Sequence, residues 1–267
     1  MDRLKDKIAL VVGAGQTPGT TIGNGRAAAV RFAQEGASVF AVDRDLARAV
    51  ETADAITADG GRCVPFAADI TVEDDIVQMV AACVEEFGRI DILHNNVGVA
   101  GAAGDAPIAA ISSDAFDTIH AINLRGMVLT CKHVLPIFQQ QQSGTIVNIG
   151  SLASAVAYPN IAYKTSKAGV VALTHNIATS YAQHGIRANC ILPGLMDTPM
   201  AIESRAQGDE EARAKVRESR DTMVPLGGKM GTAWDVANAA LFLASDESGF
   251  ITGVNLPVDG GQQVMGG

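Results

Sequence analysis

The sequence predicts one α/β domain, a doubly wound parallel sheet of about seven strands with helices on both faces. The first observation is alternation, because short apolar runs rich in β-branched residues are separated by longer runs with helical periodicity. The second is that several short runs are apolar throughout, as strands buried on both faces require. The third is composition: hydrophobic residues make up 48%, aromatics only 4%, and Gly occurs 28 times. Small residues let helices approach a sheet closely.

The predicted elements follow one another in regular order. The predicted strands are Ile8–Val12, Ser38–Val42, Cys63–Phe66, Ile90–His94, Thr145–Ile149, Arg187–Leu192 and Asn255–Val258. The predicted helices are Arg26–Glu35, Leu46–Ala58, Val72–Phe87, Asp114–Phe138, Ala162–Ala182 and Ala233–Ala244. Such alternation implies right-handed crossovers, so residues 1–267 are predicted to form one domain. It stops at Leu195–Gly231, and an insertion of that length in a compact domain predicts a lid.

Charge and residue spacing argue against several classes of function. The net charge of −9 argues against binding to nucleic acid. The four cysteines include no C-x-x-C, which predicts reduced thiols, and the five histidines lack ligand spacing, so no metal is expected. The charged N-terminus is unlike a signal peptide, and no apolar run approaches the ~20 residues of a membrane span. We therefore expect a soluble cytoplasmic protein that makes no membrane contact.

A glycine-rich loop follows the first predicted strand and leads into a helix. Gly13 and Gly15 come directly after Val12, and glycines continue to Gly25. Glycines allow close backbone approach, and the free N–H groups and dipole of a helix N-terminus favour an anion. This is how a Rossmann fold binds the pyrophosphate of a dinucleotide. A flexible surface loop remains the alternative, because a glycine cluster alone is a weak signal.

Asp43 closes the second predicted strand and gives that loop a context. A carboxylate at this position accepts hydrogen bonds from a ribose 2′-OH and repels a 2′-phosphate, which favours NAD over NADP. Arg44 favours the opposite choice, since a guanidinium can hold a phosphate. Asp43 could also cap the following helix. NAD is the predicted cofactor, and NADP is the less favoured alternative.

Tyr163 and Lys167 lie four residues apart in the predicted helix Ala162–Ala182, so their side chains leave the same face. A cation beside a phenol, whose ordinary pKa is ~10, favours the phenolate and lowers that pKa. The pair therefore predicts a general acid/base that moves a proton to or from an alcohol oxygen. The pattern is weak alone, because Y-x-x-x-K is common on exposed helices.

Further motifs accompany this pair at the ends of the predicted strands and in the long helix. They are Asp69-Ile70, Asn95-Asn96-Val97-Gly98, Asn123, Ser151, Pro193-Gly194, Thr198 and Val258-Asp259-Gly260-Gly261. With Tyr163 and Lys167 they make the chain resemble the short-chain dehydrogenases/reductases, from about Leu4 to Gly261. The order and the placement of the motifs on strands and helices make the resemblance specific.

The resemblance implies a role for each of these residues. It implies a catalytic set of Asn123, Ser151, Tyr163 and Lys167, in which Ser151 orients the substrate oxygen and Lys167 also binds the nicotinamide ribose. Asn123 would distort its helix and hold a water through which Lys167 exchanges protons with solvent. The implied cofactor contacts are Gly13, Gly15, Gly23, Gly25, Asp43, Asp69, Ile70, Asn95, Asn96, Gly98, Tyr163, Lys167, Pro193, Gly194 and Thr198.

The chain departs from the family pattern in three places. Val12 stands where the pattern T-G-x-x-x-G-x-G has Thr, and Gly150 replaces the first serine of a frequent Ser-Ser. The glycine loop is also longer than the pattern, so two alignments stay open. One matches Gly13, Gly23 and Gly25 and treats Gln16–Ile22 as an insertion, whereas the other matches Gly13, Gly15 and Gly19.

The implied function is an NAD-dependent oxidoreductase that interconverts a secondary alcohol and a ketone, with Tyr163 as the acid/base. The alternatives are an NADPH-dependent 3-oxoacyl reductase and a non-catalytic dinucleotide-binding scaffold, which would not need the catalytic set. The substrate is a small alcohol or ketone that the sequence does not name, since Leu195–Gly231 carries acids and bases in similar number.

A homotetramer with two-fold axes is the expected assembly. The helices Asp114–Phe138 and Ala162–Ala182 carry too many apolar residues for a single buried stripe. The resemblance implies that such helices pair across a two-fold axis, with Val258–Gly267 near a second interface.

Overall fold

A computed structural model of the protein describes residues 2–206 and 208–265. Its strands are β1 Ile8–Val12, β2 Ser38–Asp43, β3 Cys63–Ala67, β4 Ile92–Asn95, β5 Gly144–Ile149, β6 Ile186–Pro193, β7 Met196–Asp197, β8 Gly231–Thr232 and β9 Asn255–Val258. Its α-helices are α1 Asn24–Gln34, α2 Leu46–Ala58, α3 Glu73–Phe87, α4 Ser113–His120, α5 Gly126–Gln141, α6 Ile161–Ser180, α7 Pro199–Ala206, α8 Glu210–Asp221 and α9 Ala233–Ala244.

Within those residues, seven strands form one sheet in the order β3-β2-β1-β4-β5-β6-β9. Every neighbouring pair in it is parallel, which confirms the predicted doubly wound fold. The strand order reverses at β1, which lies between β2 and β4. A crevice opens at such a switch point beyond the carboxyl ends of the strands, so the ends of β1, β4 and β5 border the expected site.

The strands bury apolar side chains on both faces of the sheet. In β1, Ala9 and Val11 face the core shared with α1 and α9, whereas Ile8, Leu10 and Val12 face the core shared with α3, α5 and α6. Burying a large aliphatic side chain contributes about 1.5–3 kcal/mol. Helices therefore pack on both faces of the sheet, which fixes the position of its carboxyl edge.

The predicted long helix Asp114–Phe138 is interrupted. A five-residue π-helical turn, Ala121–Arg125, separates α4 from α5. Asn123 lies in this turn, is fully buried, and bonds the backbone of Val99. The wider turn lets this amide face inward, which confirms the expected distortion of the helix. Gly126 follows at a close contact, because a Cβ there would lie 2.6 Å from Ile70 Cδ1.

The insertion Leu195–Gly231 folds into two short strands and two helices. β7 and β8 pair in parallel at its base, and α7 and α8 lie between them. It touches the glycine loop, since a Cβ on Gly19 would lie 2.9 Å from Pro199 Cβ and Arg217 Nη2 donates to Thr20 Oγ1 at 2.9 Å. Gln207 lies outside the described residues. The insertion thus covers the side of the sheet where the cofactor loop begins.

Most apolar residues that predicted an oligomer are buried inside the chain. Buried in this way are Ile119, Met127, Val134, Leu135, Phe138, Val170 and Ile177. Val128 remains 40% exposed, and Leu129 and Val171 are partly exposed. The surface left for assembly is smaller than the sequence pattern indicated. The end of the predicted second interface, Gly266 and Gly267, lies outside the described residues.

Two further expectations concern thiols and membranes. The four cysteine thiols are free, and Cys83, Cys131 and Cys190 are buried. Burial raises the pKa of the Cys83 and Cys131 thiols to about 12, so these groups stay protonated and unreactive. In the part of the chain that the structure describes, no helix is long and apolar enough to cross a membrane.

Candidate active site

Tyr163 lies in the first turn of α6, whose N-terminus is held by a distant carboxylate. Asn160 precedes the helix but makes no side-chain cap. Instead, Asp105 Oδ1 accepts from the Ala162 N–H and Asp105 Oδ2 from the Tyr163 N–H, each at 3.0 Å. A carboxylate satisfies the free N–H groups of a helix start and complements its dipole. Asp105 therefore fixes the backbone that carries the phenol.

Lys167 follows one turn later and lies in a closed pocket. Its side chain is buried, Nζ donates to Ile149 O at 2.9 Å, and Nζ lies 5.9 Å from the centroid of the Tyr163 ring. A Cβ on Gly98 would lie 3.1 Å from Nζ, so a glycine there leaves room for the ammonium. Burial lowers the pKa of Lys167 to about 8. The ammonium is thus held by the end of β5 and lies on one side of the ring.

The structure reverses the expected shift of the Tyr163 pKa. Burial raises the pKa of this phenol above its ordinary value, hydrogen bonding by the Ser151 side chain opposes the rise, and the charge of Tyr158 adds to it. The expected lowering by Lys167 is therefore wrong for this structure. The reason is that desolvation disfavours the phenolate more strongly than the neighbouring groups favour it.

Ser151 is the second residue after β5 and is buried. Its Oγ accepts from the Ala153 N–H at 3.2 Å, which bends the chain into a short turn. The Ser151 side chain lies close enough to Tyr163 to oppose the rise of the phenol's pKa. The structure thus brings together Ser151 and Tyr163, as the sequence predicts.

Asn123 joins this group through its side-chain amide. Oδ1 accepts from the Val99 N–H at 2.7 Å, and Nδ2 donates to Val99 O at 2.9 Å and to Ser166 Oγ at 3.1 Å. Ser166 in turn donates to Tyr163 O at 2.9 Å. The amide thus ties the segment after β4 to α6. Its protein partners give Asn123 a structural task, and its implied role in proton exchange remains a prediction.

The glycine loop shows which glycines the backbone needs. Gly13 has φ +85°, and a Cβ on Gly25 would lie 1.9 Å from Gly13 O. Asn96 Nδ2 also donates to Gly13 O at 3.0 Å, and Gln16 Oε1 accepts from the Gly23 N–H at 2.9 Å. These contacts bring the start of α1 against the end of β1 and close the loop at Gln16. They agree with the alignment through Gly13, Gly23 and Gly25.

The start of α1 suits a dinucleotide phosphate. Among the described residues, Gly23 provides no side-chain cap and the first turn holds no acidic residue. Asn24 Oδ1 is buried nearby without a partner. Uncapped N–H groups at a helix start form an anion site. The loop therefore fits the cofactor that the resemblance implies.

Asp43 ends β2 and faces the glycine loop. A Cβ on Gly15 would lie 2.6 Å from Asp43 Oδ2, while Oδ1 accepts from the Asp45 N–H at 3.0 Å. Asp45, rather than Asp43, caps α2 by accepting from the Ala47 N–H. Arg44 is exposed. The carboxylate of Asp43 is therefore available at the end of β2, and capping of α2 does not account for it.

Two predicted contact groups have structural tasks of their own. Asn95 ends β4 and is buried in an amide network, since its Nδ2 donates to Asn148 Oδ1 at 2.9 Å. A cofactor contact of Asn95 would therefore have to come from its backbone. Asp69 Oδ1 accepts from the Thr71 N–H at 2.8 Å in a tight turn, and Ile70 is buried against Gly126.

The turn after β6 packs on the C-terminal turn. The Gly194 N–H donates to Val258 O at 3.0 Å, and a Cβ on Gly194 would lie 2.7 Å from Asp259 Cβ. Thr198 is buried at the start of α7, where its carbonyl accepts from Ala201 N. Pro193 ends β6. These residues border the same edge of the sheet as β5 and Ser151.

Comparison with known proteins agrees with this geometry. A family model described as Enoyl-(Acyl carrier protein) reductase matches residues 19–263. The 2-(R)-hydroxypropyl-CoM dehydrogenase of Xanthobacter autotrophicus is 37% identical over 258 residues, which are 95% of this chain and 97% of that protein. The chain belongs to the short-chain dehydrogenase/reductase family.

Two further members of the family show the range of its reactions. The 3-oxoacyl-acyl-carrier-protein reductase of Thermotoga maritima is 35% identical over 263 residues, which are 97% of this chain and 98% of that protein. The solved structure of levodione reductase has a TM-score of 0.90 at 35% identity and covers 98% of this chain and 99% of that one. This short-chain dehydrogenase/reductase is thus an oxidoreductase of CH–OH groups that uses a nicotinamide cofactor.

Sequence reasoning missed two residues of this short-chain dehydrogenase/reductase site. Asp105 holds α6, and the acidic residue in an otherwise Gly- and Ala-rich segment was the available signal. Tyr158 packs on Tyr163 with 5.6 Å between ring centroids. Burial raises the pKa of Tyr158, the charge of Asp105 adds to the rise, and the charges of Arg205 and Arg220 oppose it. A second phenol thus packs on Tyr163, close enough to Arg205 and Arg220 for their charges to act on it.

Proposed function

We propose that this enzyme is an NAD-dependent oxidoreductase that interconverts a secondary alcohol and a ketone, with Tyr163 as the acid/base. One observation carries the proposal. Ser151 after β5, Asn123 in the π-helical turn, and Tyr163 with Lys167 on α6 converge at the carboxyl edge of the sheet. A protein that merely held a dinucleotide would gain nothing from burying an ammonium beside a phenol, since burial of a charge is costly.

In this proposal the proton and the hydride are transferred by different groups. A bound nicotinamide cofactor would supply the hydride chemistry, taking a hydride from the carbinol carbon in oxidation and delivering one to the ketone carbon in reduction. Tyr163 takes the hydroxyl proton during oxidation and gives it back during reduction. Ser151 donates a hydrogen bond to the same oxygen and holds it beside the phenol. Because burial raises the pKa of Tyr163, the phenol keeps its proton at neutral pH and serves best there as an acid.

The choice of NAD is supported by the charge at the end of β2. The Asp43 carboxylate faces the loop at Gly15, where a 2′-phosphate would be repelled and a 2′-OH accepted. Gly13 and Gly25 would receive the pyrophosphate at the start of α1, and Lys167 would bind the nicotinamide ribose. The other predicted contacts, including Asn96, Gly98, Pro193, Gly194 and Thr198, would line the path between them.

The test is an absorbance assay of NADH with a panel of secondary alcohols and ketones. Tyr163→Phe keeps the ring and removes the proton carrier, so kcat should fall by about 100-fold or more while NAD affinity persists. Tyr181→Phe, at the end of α6, is the matched control and should stay near wild type. Activity of Tyr163→Phe within about tenfold of wild type would exclude Tyr163 as the acid/base.

A 3-oxoacyl reductase that uses NADPH is the second candidate, favoured by the similarity to the Thermotoga maritima enzyme. An acetoacetyl thioester with NADPH belongs in the same assay. If it is reduced faster than any ketone with NADH, this candidate replaces the first. Cofactor binding without turnover of any compound would favour a non-catalytic dinucleotide-binding scaffold.

We also propose a homotetramer in which helices pair across two-fold axes. The partly exposed Val128, Leu129 and Val171 support it, because apolar surface of this kind is covered by a second copy in an isologous interface. Sedimentation equilibrium at micromolar concentration measures the mass. A value near the 27.6 kDa of one chain would contradict the assembly.

The insertion Leu195–Gly231 is proposed as a lid that closes over bound substrate. Gly227 and Gly228 have φ of +69° and +60°, and a Cβ on either would meet nothing within 4 Å. Such positions suit a hinge, since their backbone is free to move. Proteolysis of the insertion should slow when NAD and substrate are present, and equal cleavage in both conditions would indicate a static segment.

A further inference from the structure

The basic residues of the insertion fall into two groups. Three of them are paired with carboxylates: Arg213 with Glu203 at 3.0 Å, Lys215 with Glu211 at 2.6 Å and Arg217 with Asp197 at 3.1 Å. Arg205, Arg220 and the exposed Lys229 form no ion pair with any residue that the structure describes. The near-equal numbers of acids and bases in the sequence therefore do not describe the folded insertion. Two guanidinium charges are left over.

Both of these guanidinium groups also keep free donors. Arg205 ends α7, and its Nη1 donates to Ala201 O at 2.7 Å. Arg220 lies in the last turn of α8, and its Nε lies 3.3 Å from Met230 Sδ. Across residues 2–206 and 208–265, Nε and Nη2 of Arg205 and both Nη atoms of Arg220 have no hydrogen-bond partner. A guanidinium offers these donors in a planar fork that matches an oxyanion.

The charges of these two arginines act on each other and on Tyr158, the neighbour of Tyr163. Burial lowers the pKa of Arg220, and the positive charge of Arg205 lowers it further. Both charges lower the pKa of Tyr158, whose ring packs on Tyr163 at 5.6 Å. Tyr158 therefore connects the arginine pair to the residue that handles the proton. No such relation links the pair to Asp43 or to the glycine loop.

The carboxylates close to this group are already engaged. Asp105 accepts from two N–H groups at the start of α6, and Asp197 is paired with Arg217. An arginine cannot shed its charge at any ordinary pH, and two like charges side by side repel. Arg220 is half-buried and Arg205 is exposed, so an anion from outside the chain can reach both guanidinium groups and offset their repulsion.

We propose that Arg205 and Arg220 bind an oxyanion of the substrate, a carboxylate or a chemically similar group, at the end remote from the carbinol carbon. The inference rests on the proposed function, because it places the anion relative to Tyr163. The substrate is then a secondary alcohol or ketone with an acidic tail. The lid closes on the tail while Tyr163 and Ser151 hold the oxygen that reacts.

Matched pairs of substrates test the proposal. A homologous series of secondary hydroxy acids is compared with the corresponding primary amides, using NAD in the absorbance assay and calorimetry for binding. At the best chain length the acid should exceed the amide in kcat/KM by about tenfold or more. Arg205→Gln and Arg220→Gln should each lower kcat/KM for the acid by about 10- to 100-fold and leave the amide within about twofold.

The control is Lys215→Gln, which removes one positive charge from an exposed position on the same helix. It should leave both substrates unchanged. Arg220→Lys should restore part of the preference for the acid, because the charge returns without the planar fork. An equal loss with acid and amide in the arginine variants, or a change confined to the KM for NAD, would overturn the proposal.

The outcomes separate this inference from the proposed function. If the amides are oxidised and the acids are not preferred, the proposed dehydrogenase function stands and the proposed anion site is wrong. If no compound turns over, the proposed function fails. Calorimetry then still measures whether Arg205 and Arg220 favour binding of the acid over the amide. An acid that binds no more tightly than its amide would then refute them.

Discussion

Two regions of the site hold their polar side chains by different means. The floor is formed by Ser151, Asn123, Tyr163 and Lys167, and the lid is residues 195–231. In the floor, Lys167 is anchored on Ile149 O and Asn123 on both backbone atoms of Val99. In the lid, α8 buries no residue and its charged side chains pair at the surface. The floor is fixed by backbone contacts, whereas α8 is held by ion pairs, including those of Arg213 with Glu203 and of Arg217 with Asp197.

This difference separates the chemistry from the choice of substrate. A proton carrier must be positioned within a fraction of an ångström, and buried backbone partners supply that precision. Ion pairs near the surface contribute little to stability, about 0–1 kcal/mol each, so α8, which buries no residue, can move at low cost. The unpaired Arg205 and Arg220 of the lid remain available to a ligand. We therefore expect variants of the floor to affect all substrates and variants of the lid to affect one class.

The largest effect is expected for Lys167→Ala in the floor. The ammonium serves both the phenol and the nicotinamide ribose, so kcat/KM should fall by about 1,000-fold and the KM for NAD should rise by about tenfold. Lys215→Ala in the lid is the matched control. Unchanged cofactor affinity in Lys167→Ala would show that the lysine does not reach the ribose.

A smaller effect concerns the pH dependence of stability and arises from a buried histidine in β4. His94 in β4 is fully buried, neither ring nitrogen has a partner among residues 2–206 and 208–265, and burial lowers its pKa to about 4. The unfolded chain takes up a proton near pH 6.5 that the folded chain refuses until about pH 4. The free energy of unfolding should therefore fall by about 3 kcal/mol as the pH drops through this window.

The variant His94→Val isolates that term, since valine fits a buried strand and does not titrate. Urea unfolding near pH 7 and near pH 4.5 should show a smaller loss of stability in the variant than in the wild type. Parallel losses in the two proteins would mean that His94 does not couple folding to protons.

The smallest effect is expected at the cofactor end, where the charge of Asp43 selects between NAD and NADP. Asp43→Ala should shift the ratio of kcat/KM values toward NADP by about tenfold, because repulsion of the 2′-phosphate is relieved and Arg44 can approach it. Asp45→Ala, which removes the neighbouring cap of α2, is the control. A wild-type enzyme that already prefers NADP would show that Arg44 outweighs Asp43.

Much of the fold and of the floor is legible in the sequence because both depend on local patterns. Apolar runs of strand length placed each strand of the main sheet to within a few residues. The motif around Tyr163 named the catalytic set that converges in the structure. Spacing alone could not give the environment: burial raises the pKa of Tyr163, whereas four-residue spacing suggested that Lys167 would lower it.

Other features depend on partners far away in the chain. The π-helical turn exists where Asn123 bonds Val99, 24 residues earlier, and Asp105 caps a helix start 57 residues later. Asn95 ends β4, and its side chain forms a buried hydrogen bond with Asn148. The pairing of acids and bases in the insertion likewise appears only once α7 and α8 pack. Charge counts could not reveal which arginines are left free.

The most direct test of the central claim is the pH dependence of kcat/KM for alcohol oxidation, measured from about pH 6 to about pH 8, below the range in which Lys167 loses its charge. Oxidation needs a phenol that has lost its proton, and burial raises the pKa of Tyr163 above its ordinary value. The rate should therefore climb steadily toward alkaline pH in the wild type, and Tyr163→Phe should lose both the rate and the climb. A wild-type rate that stays level or declines with rising pH, or a climb that persists in Tyr163→Phe, would contradict the assignment of Tyr163 as the acid/base.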